Sequence, residues 1–294
     1  MQKIVPHLWF DKEALEAAGF YTSIFPGSRI KYTSQLHNTP SGSTDIVTFE
    51  ISGMEFQAIS AGPLFKLNPS VSFHVKCKTK EEVDAIWDKL SGGGQVLMEL
   101  GAYPFSDRYG WIQDKYGLSW QIIYAGGAEF KQVITPVIMF VGNVCGKAEE
   151  AINYWTSIFH NSKVESAQRY GKGEQPNPEG ALKYAAFNLF GLEFGAMDSA
   201  YEHQFNFNEA ISFIVKCDTQ AEIDEYWNKL TAVPEAEACG WLKDRYGFSW
   251  QIVPTRMEEM LRGNDQRRID RVTQAFLVMK KFDLAKLEVA YQGK

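Results

Sequence analysis

The stretch GWIQDKYGLSWQII, residues 110–123, returns as GWLKDRYGFSWQIV at residues 240–253, with nine of fourteen positions identical. A second pair, SFHVKCKT at 72–79 and SFIVKCDT at 212–219, has six of eight positions identical. The period of about 130 residues is too long for one unit of a solenoid and is typical of a whole domain. The sequence therefore predicts two copies of one domain.

Composition narrows the class of protein. With 294 residues and 45% hydrophobic content, each copy can bury a core of its own. The formal net charge of −6 does not suggest the basic surface that binds nucleic acid or anionic membranes. No apolar run approaches the roughly 18–20 residues of a membrane span, and residues 1–7 lack the apolar region of a signal peptide. Cys77 and Cys217 occupy matching positions, which predicts buried thiols in a reduced, cytoplasmic protein.

Each copy shows the same order of elements twice. A strand at residues 4–10 is followed by a helix at 12–25 and then by three strands, judged from apolar periodicity. The order restarts at residue 71, where Thr79 and Glu82 form a capping box for the next helix. Two β-α-β-β-β units per copy predict an α+β fold with helices on one side of a curved sheet. We expect one domain at 1–125 and a second at 133–254.

Residues 255–294 have no counterpart in the first copy and form a predicted helical extension. Its first helix, capped by Asn264, carries an apolar stripe of Ile269, Val272, Phe276 and Met279. Its last helix, capped by Asp283, carries Leu284, Leu287, Val289 and Tyr291. A stripe of this length is expected to dock on the sheets or on the seam between the copies.

The paired units, the segment LWFD at 8–11 and the repeated motif ending in SWQI carry a resemblance to a known family. They resemble the PhnB-like, 3-demethylubiquinone-9 3-methyltransferase-like branch of the vicinal oxygen chelate superfamily. That superfamily also includes glyoxalase I, bleomycin-resistance proteins and extradiol dioxygenases. The resemblance covers residues 3–254 and implies that each copy forms a cup-shaped sheet. Methyltransferase chemistry is the least favoured implication, because the chain has no glycine-rich strand-to-helix turn that would hold the cofactor.

The resemblance also implies where a metal would bind. Metal-dependent relatives take His and Glu ligands from the first, fourth, fifth and eighth strands of a copy. The matching positions here are Val5, Gln57, Ser72 and Gln121 in the first copy and Thr135, Gly195, Ser212 and Gln251 in the second. Neutral amides and hydroxyls alone bind a transition ion poorly. We therefore expect no metal and no cofactor in either cup.

Strand alternation places His7 and Trp9 on the face of Val5, and His74 on the face of Ser72. The ligand-binding residues expected in a first cup, built from residues 1–125, are His7, Trp9, Gln57, Ser72, His74, Trp111 and Gln121. The candidates for a second cup are Thr135, Ser212, Trp241 and Gln251. Histidine titrates near neutrality, so ligand binding is expected to concentrate in residues 1–125 and to change around pH ~6–7.

Two other repeated residue types have simpler interpretations. Asp114 and Asp244 each precede a glycine-containing turn, and we expect them to cap that turn rather than to catalyse a reaction. Of the four tryptophans in the repeated motif, alternation predicts that half lie in the core.

Two functions of different classes remain open from the sequence. One is a metal-free protein that binds a small, partly aromatic or apolar molecule in a cup. The other is an enzyme, of lyase, isomerase or dioxygenase type, that uses His7 and His74, with or without a metal ion, on a small oxygen-rich substrate. Either function would have a small molecule as its partner. We expect the protein to be a monomer with an internal pseudo-dimer or a homodimer. Metal analysis of protein purified without chelators distinguishes them.

Overall fold

The structure is a computed structural model that describes residues 2–263 and 265–294. The strands of the first repeat are β1 (Ile4–Phe10), β2 (Arg29–Thr39), β3 (Gly42–Ile51), β4 (Met54–Ser60), β5 (Val71–Cys77), β6 (Gln95–Tyr103), β7 (Ser106–Gln113) and β8 (Ser119–Tyr124). Those of the second repeat are β9 (Ile134–Phe140), β10 (Lys163–Arg169), β11 (Leu182–Leu189), β12 (Leu192–Asp198), β13 (Ile211–Cys217), β14 (Trp241–Lys243) and β15 (Ser249–Pro254).

The helices follow the predicted pattern except for one additional helix at residues 255–261, at the start of the extension. They are α1 (Ala14–Ile24), α2 (Lys80–Ser91), α3 (Ala148–Ile158), α4 (Gln220–Leu230), α5 (Thr255–Leu261), α6 (Gln266–Leu277) and α7 (Leu284–Gln292). Thr79 begins α2 as expected, since its hydroxyl accepts a hydrogen bond from the Glu82 backbone N–H at 3.1 Å. Within the described residues, no helix is both long and apolar enough to cross a membrane.

The strands form two sheets, and each sheet takes strands from both repeats. Sheet A has the order β14-β15-β13-β1-β4-β3-β2, and sheet B has the order β10-β11-β12-β9-β5-β8-β7-β6. The repeats meet where β1 pairs antiparallel with β13 and where β5 pairs antiparallel with β9. The expectation that each cup is built within one repeat is therefore wrong. Its physical reason is that β1 and β5 each need a partner on their second side, and the other repeat supplies it.

Helices cover one face of each sheet. Helices α1 and α4 contact sheet A, and α2 and α3 contact sheet B. Side chains between the helices and the sheets form one continuous core, in which Phe56 of sheet A lies 5.1 Å from Phe73 of sheet B between ring centroids. We call the opposite face of each sheet its cup face, and name the two cup A and cup B. Strand alternation sends His7 and Trp9 to cup A and their neighbour Leu8 to the core.

The two repeated aspartates cap turns, as the sequence predicts. Asp244 is fully buried, and its carboxylate accepts hydrogen bonds from the backbone N–H groups of Tyr246 and Phe248. It also accepts from the indoles of Trp155 and Trp250 at 2.8 and 3.0 Å. Burial raises the pKa of Asp244 and these four donors oppose the rise.

Asp114 does the same in the first repeat, accepting from the Trp120 indole at 2.9 Å. Trp120 and Trp250 are fully buried, whereas Trp111 and Trp241 are partly exposed. The prediction that half of the motif tryptophans lie in the core is thus confirmed.

The repeats differ at the hairpin before the repeated motif. In the first repeat β6 and β7 form a long hairpin, whereas the second has a 3₁₀ turn at Pro234–Ala236 and the short strand β14. The C-terminal extension runs beside that strand, where the Cys239 and Gly240 backbone N–H groups donate to the Met279 and Lys280 carbonyls, both at 2.8 Å. Gly240 has φ +83°, and a Cβ there would collide with the Phe282 ring. Both the backbone angle and the space therefore require glycine.

The extension, residues 255–294, docks on sheet A. Helix α6 packs on the edge strand β2 and buries Ile269, Val272 and Phe276, while Met279 lies beyond the helix end and is partly buried. The helix is capped by Asp265, whose carboxylate accepts from the Arg267 backbone N–H. The predicted cap, Asn264, lies outside the described residues.

The last helix behaves differently from the prediction. Asp283 caps α7, accepting from the Lys286 backbone N–H at 3.1 Å. Of the apolar side chains expected on its face, however, only Leu287 is fully buried, and Val289 is 50% exposed. Because α7 packs mainly on α6, Leu287 is the one residue of its stripe buried in the cluster beneath, and Tyr291 packs on that cluster while partly exposed.

A buried ion network fastens the extension to sheet A. The Lys216 ammonium on β13 is 3% exposed and lies 2.6 Å from Glu55 on β4 and 2.7 Å from Glu258 on α5. Burial alone would lower the pKa of Lys216, but the two carboxylates raise it. Loss of Glu258 would leave a buried cation with one fewer partner, which is costly.

We expect deletion of residues 255–294 to lower the melting temperature and to expose apolar surface. The extension buries Ile269, Val272, Phe276 and Leu287, and burial of four such side chains contributes roughly 6–12 kcal/mol as an upper range. Thermal melts with an apolar dye measure both effects. An unchanged melting curve would contradict docking of the extension.

A matched pair of substitutions separates docking from general damage. Val272 is fully buried in α6 and Val278 is 87% exposed just after it. Val272→Ser should lower the melting temperature by several degrees, since it places a hydroxyl in an apolar cluster. Val278→Ser should leave it unchanged.

Candidate ligand-binding cavity

A cavity of about 860 Å³ lies between cup A and the extension. Sheet A contributes His7, Trp9, Gln57, Ile59, Trp241 and Gln251 to its wall, and the extension contributes Met257, Leu261, Phe276 and Phe282. Most of the wall is apolar, and a few polar groups converge on it from the sheet. Its volume is in the range that holds a drug-sized molecule.

Strand register brings the polar groups together. His7 on β1 lies opposite Gln57 on β4 and opposite Ser212 on β13. The Gln251 amide nitrogen donates to the Ser212 hydroxyl at 2.9 Å. Among the described residues no donor is bonded to the Gln251 amide oxygen, which lines the cavity and can accept from a ligand. The polar floor of the cavity therefore combines residues of both repeats.

His7 is the titratable group of this floor. It is 3% exposed, and its Nδ1 is buried with no hydrogen-bond partner among the described residues. Desolvation lowers the pKa of His7 to about 3. The imidazole is therefore neutral between pH 5 and 8 and can both donate and accept a hydrogen bond. The expected change in binding around pH 6–7 is contradicted for this residue, because burial moves its titration out of that range.

Aromatic rings form one corner of the cavity. Trp9 lies 5.1 Å from Phe65 and 6.2 Å from Trp241 between ring centroids, and both pairs are close to perpendicular. His7 meets Trp241 edge to face at 5.3 Å. The Trp9 indole donates to the Gly62 carbonyl at 2.7 Å, which fixes the orientation of its ring.

The other predicted residues lie in cup B. The Gln121 amide donates to Ser72 at 2.7 Å, as Gln251 does to Ser212, and the Tyr109 hydroxyl donates to Gln121 at 2.8 Å. The Trp111 indole donates to the Ser119 hydroxyl at 2.7 Å and is the counterpart of Trp241. The single first cup predicted from residues 1–125 is therefore divided between two sheets.

His74 also lies in cup B, beside Thr135 in the register of β5 and β9. Both of its ring nitrogens are buried without a hydrogen-bond partner among the described residues. Desolvation, with a smaller contribution from Lys76, lowers the pKa of His74 to about 4. His7 and His74 therefore cannot act on one substrate in one cup, and the predicted histidine pair is wrong.

Cup B differs from cup A at the position of Gln57. The second repeat has Gly195 there, and a Cβ on Gly195 would lie 2.7 Å from the Tyr184 hydroxyl. Tyr184 thus occupies in cup B the space that corresponds to the Gln57 side chain. The sequence pointed to cavity residues on the strands but missed Phe65 and the wall supplied by the extension. The only signal for that wall was the apolar stripe, which has no counterpart in the first repeat.

Neither cup offers the donors of a divalent metal site. Cup A has Val5, Gln57, Ser212 and Gln251 at the positions that the resemblance implies, and cup B has Thr135, Gly195, Ser72 and Gln121. Within residues 2–263 and 265–294, no group of three or more His, Cys, Asp or Glu side chains is arranged to hold an ion. The residues present do not fit a metal.

The two buried histidines predict a loss of stability in acid. An unfolded histidine has a pKa of about 6.5, whereas burial depresses the pKa of His7 to about 3 and that of His74 to about 4. As the pH falls below about 6.5 the unfolded chain binds protons first, so stability present at neutral pH is lost progressively toward these lower values. Between pH 7 and pH 5 each histidine should cost roughly 2 kcal/mol.

Urea unfolding at both pH values measures this cost. The double variant His7→Gln, His74→Gln should lose less stability than the parent between pH 7 and 5. His160→Gln, at a side chain that is 69% exposed, serves as the control and should behave as the parent. Equal losses in the parent and the double variant would contradict neutral burial of the two rings.

Comparison with known proteins gives a family. The model of the family described as 3-demethylubiquinone-9 3-methyltransferase matches residues 2–123 and 132–253. No curated protein matches the chain.

One solved structure resembles part of the chain in sequence, and another resembles most of the chain in fold. The PhnB protein from Bacillus cereus is 43% identical over 42% of this chain and 100% of its own, with a TM-score of 0.40. Glyoxalase I from Zea mays is 11% identical over 89% of this chain and 98% of its own, with a TM-score of 0.56, and shares the fold alone. Two matches to one family model, covering most of the chain, show that it belongs to the 3-demethylubiquinone-9 3-methyltransferase family, with the domain present twice.

Proposed function

We propose that the protein is a metal-free binder of a small molecule and that the ligand occupies cup A. The observation that carries this proposal is the cavity of about 860 Å³, walled by both repeats and by the extension. Such a site is concave, largely apolar and furnished with few polar groups, as ligand sites usually are.

The polar floor would select the ligand. His7, Gln57 and Gln251 present donors and acceptors in a poorly solvated place. A ligand that leaves them unpaired is penalised, whereas one with a matching hydrogen-bonding group is not. The bound molecule therefore combines an apolar or aromatic body with at least one hydrogen-bonding group. All the residues that line the cavity belong to one chain, so a monomer is sufficient to bind the ligand.

Enzymatic activity is the second candidate, and it now depends on His7 alone. An imidazole whose pKa lies near 3 is a weak general base at neutral pH, since the best catalytic pKa lies near the working pH. The methyltransferase activity in the family name is a third candidate. Calorimetry with S-adenosylmethionine tests it, and metal analysis of protein purified without chelators tests metal-assisted chemistry.

A neutral fluorescent probe, N-phenyl-1-naphthylamine, tests binding in cup A. We expect its fluorescence to rise on binding to the parent and Ile59→Trp to weaken binding at least tenfold, because the larger side chain fills part of the cavity. Ile59 of β4 lines the cavity and pairs with β1. Met197 of β12 occupies the matching position in cup B and pairs with β9.

Met197→Trp is therefore the matched control and should leave probe binding unchanged. Melting curves of both variants show whether each is folded. Binding that is lost in Met197→Trp and kept in Ile59→Trp would place the ligand in cup B and contradict the proposal.

A further inference from the structure

The aromatic corner of cup A has a geometry suited to a cation. Trp9, Phe65 and Trp241 line the same cavity, and the Trp9 ring is nearly perpendicular to each of the other two rings. Perpendicular rings present the negative face of one π-system and enclose a concave space, which is how proteins hold quaternary ammonium groups. Each ring is partly exposed, so a ligand can reach it.

The charges on the cavity wall favour the same sign of ligand. Among the described residues, the lining includes the acidic residues Asp11, Glu209, Glu235 and Glu258 and a single basic residue, Lys12. Lys243 neutralises Glu209 at 2.9 Å, and Lys216 neutralises Glu258 at 2.7 Å. No cation lies within 4 Å of the Asp11 or Glu235 carboxylate in the described part of the chain.

Asp11 is tied to the aromatic corner through one residue. The Gly62 carbonyl accepts from the Trp9 indole at 2.7 Å, and the Gly62 backbone N–H donates to the Asp11 carbonyl at 3.0 Å. Asp11 therefore lies at the same end of the cavity as Trp9. Asp11 also lines the cavity, and a carboxylate at this end strengthens the attraction for a cation.

Anionic ligands find no comparable partner. The buried ammonium nearest the floor, Lys216, is already shared by Glu55 and Glu258. Lys12, the one basic side chain in the described lining, is exposed to solvent, so a carboxylate or phosphate bound on the buried polar floor would lose its hydration without gaining a desolvated, unpaired cation.

We infer that cup A takes a ligand with an alkylated ammonium group on an apolar or aromatic body. The ammonium lies in the corner formed by Trp9, Phe65 and Trp241, and the body extends toward the wall formed by the extension. This inference rests on the proposed function, because it assigns a chemical class to the ligand of the same cavity.

Two probes of equal shape test the inference: (4-hydroxybenzyl)trimethylammonium, which is cationic, and 4-neopentylphenol, which is neutral. Both carry a phenol for the polar floor. Titration of the full chain by calorimetry should show about tenfold tighter binding of the cation, the size of a partly desolvated cation–π contact. The preference should shrink in Trp241→Leu, recover in Trp241→Phe, and remain in Trp111→Leu, the matched change in cup B.

The outcomes separate the two proposals. If both probes bind with equal affinity, or the neutral probe binds more tightly, the ammonium preference is overturned and the binding function stands. If neither probe binds, the binding function fails and the preference fails with it. A preference that survives in Trp241→Leu, in protein whose melting temperature matches the parent, would also overturn the assignment to this corner.

Discussion

The pairing of β1 with β13, and of β5 with β9, is the constraint on which the rest of the structure depends. A strand with one unpaired side exposes a row of backbone donors and acceptors. Each β-α-β-β-β unit begins with such a strand, and a strand of the other repeat pairs with its free side. Because the sheets are shared in this way, His7 of the first repeat lies opposite Ser212 of the second. The cavity is therefore a product of the duplication and not of either repeat alone.

The two cups have the same strand order but different contents. Cup A is walled by the C-terminal extension, which runs along the place left free by the shortened hairpin of the second repeat. Cup B keeps the long hairpin β6–β7, and Tyr184 lies over Gly195 where cup A has Gln57. Cup A thus has an open, polar-floored cavity. The other cup fills the corresponding space with side chains of its own.

Much of the fold could be predicted from the sequence, because local patterns report local structure. Alternation placed His7 and Trp9 on the cup face, and the turn position of Asp114 identified a cap. Partnership between distant strands could not be predicted in this way. A strand's period fixes which face a side chain occupies but not which strand lies beside it, so His74 was assigned to the wrong cup. Nor does residue type reveal desolvation, which moves the pKa of His7 to about 3.

Division of the chain between Gly126 and Gly127 tests the sharing of the sheets most directly. We predict that residues 1–126 and 127–294, produced together, purify as a one-to-one complex that binds N-phenyl-1-naphthylamine as the intact chain does. Neither fragment alone should bind the probe as a monomer, because the first lacks three and the second lacks four of the seven strands of sheet A. A monomeric fragment of residues 1–126 that folds and binds the probe with the affinity of the intact chain would contradict the shared sheet and the cavity derived from it.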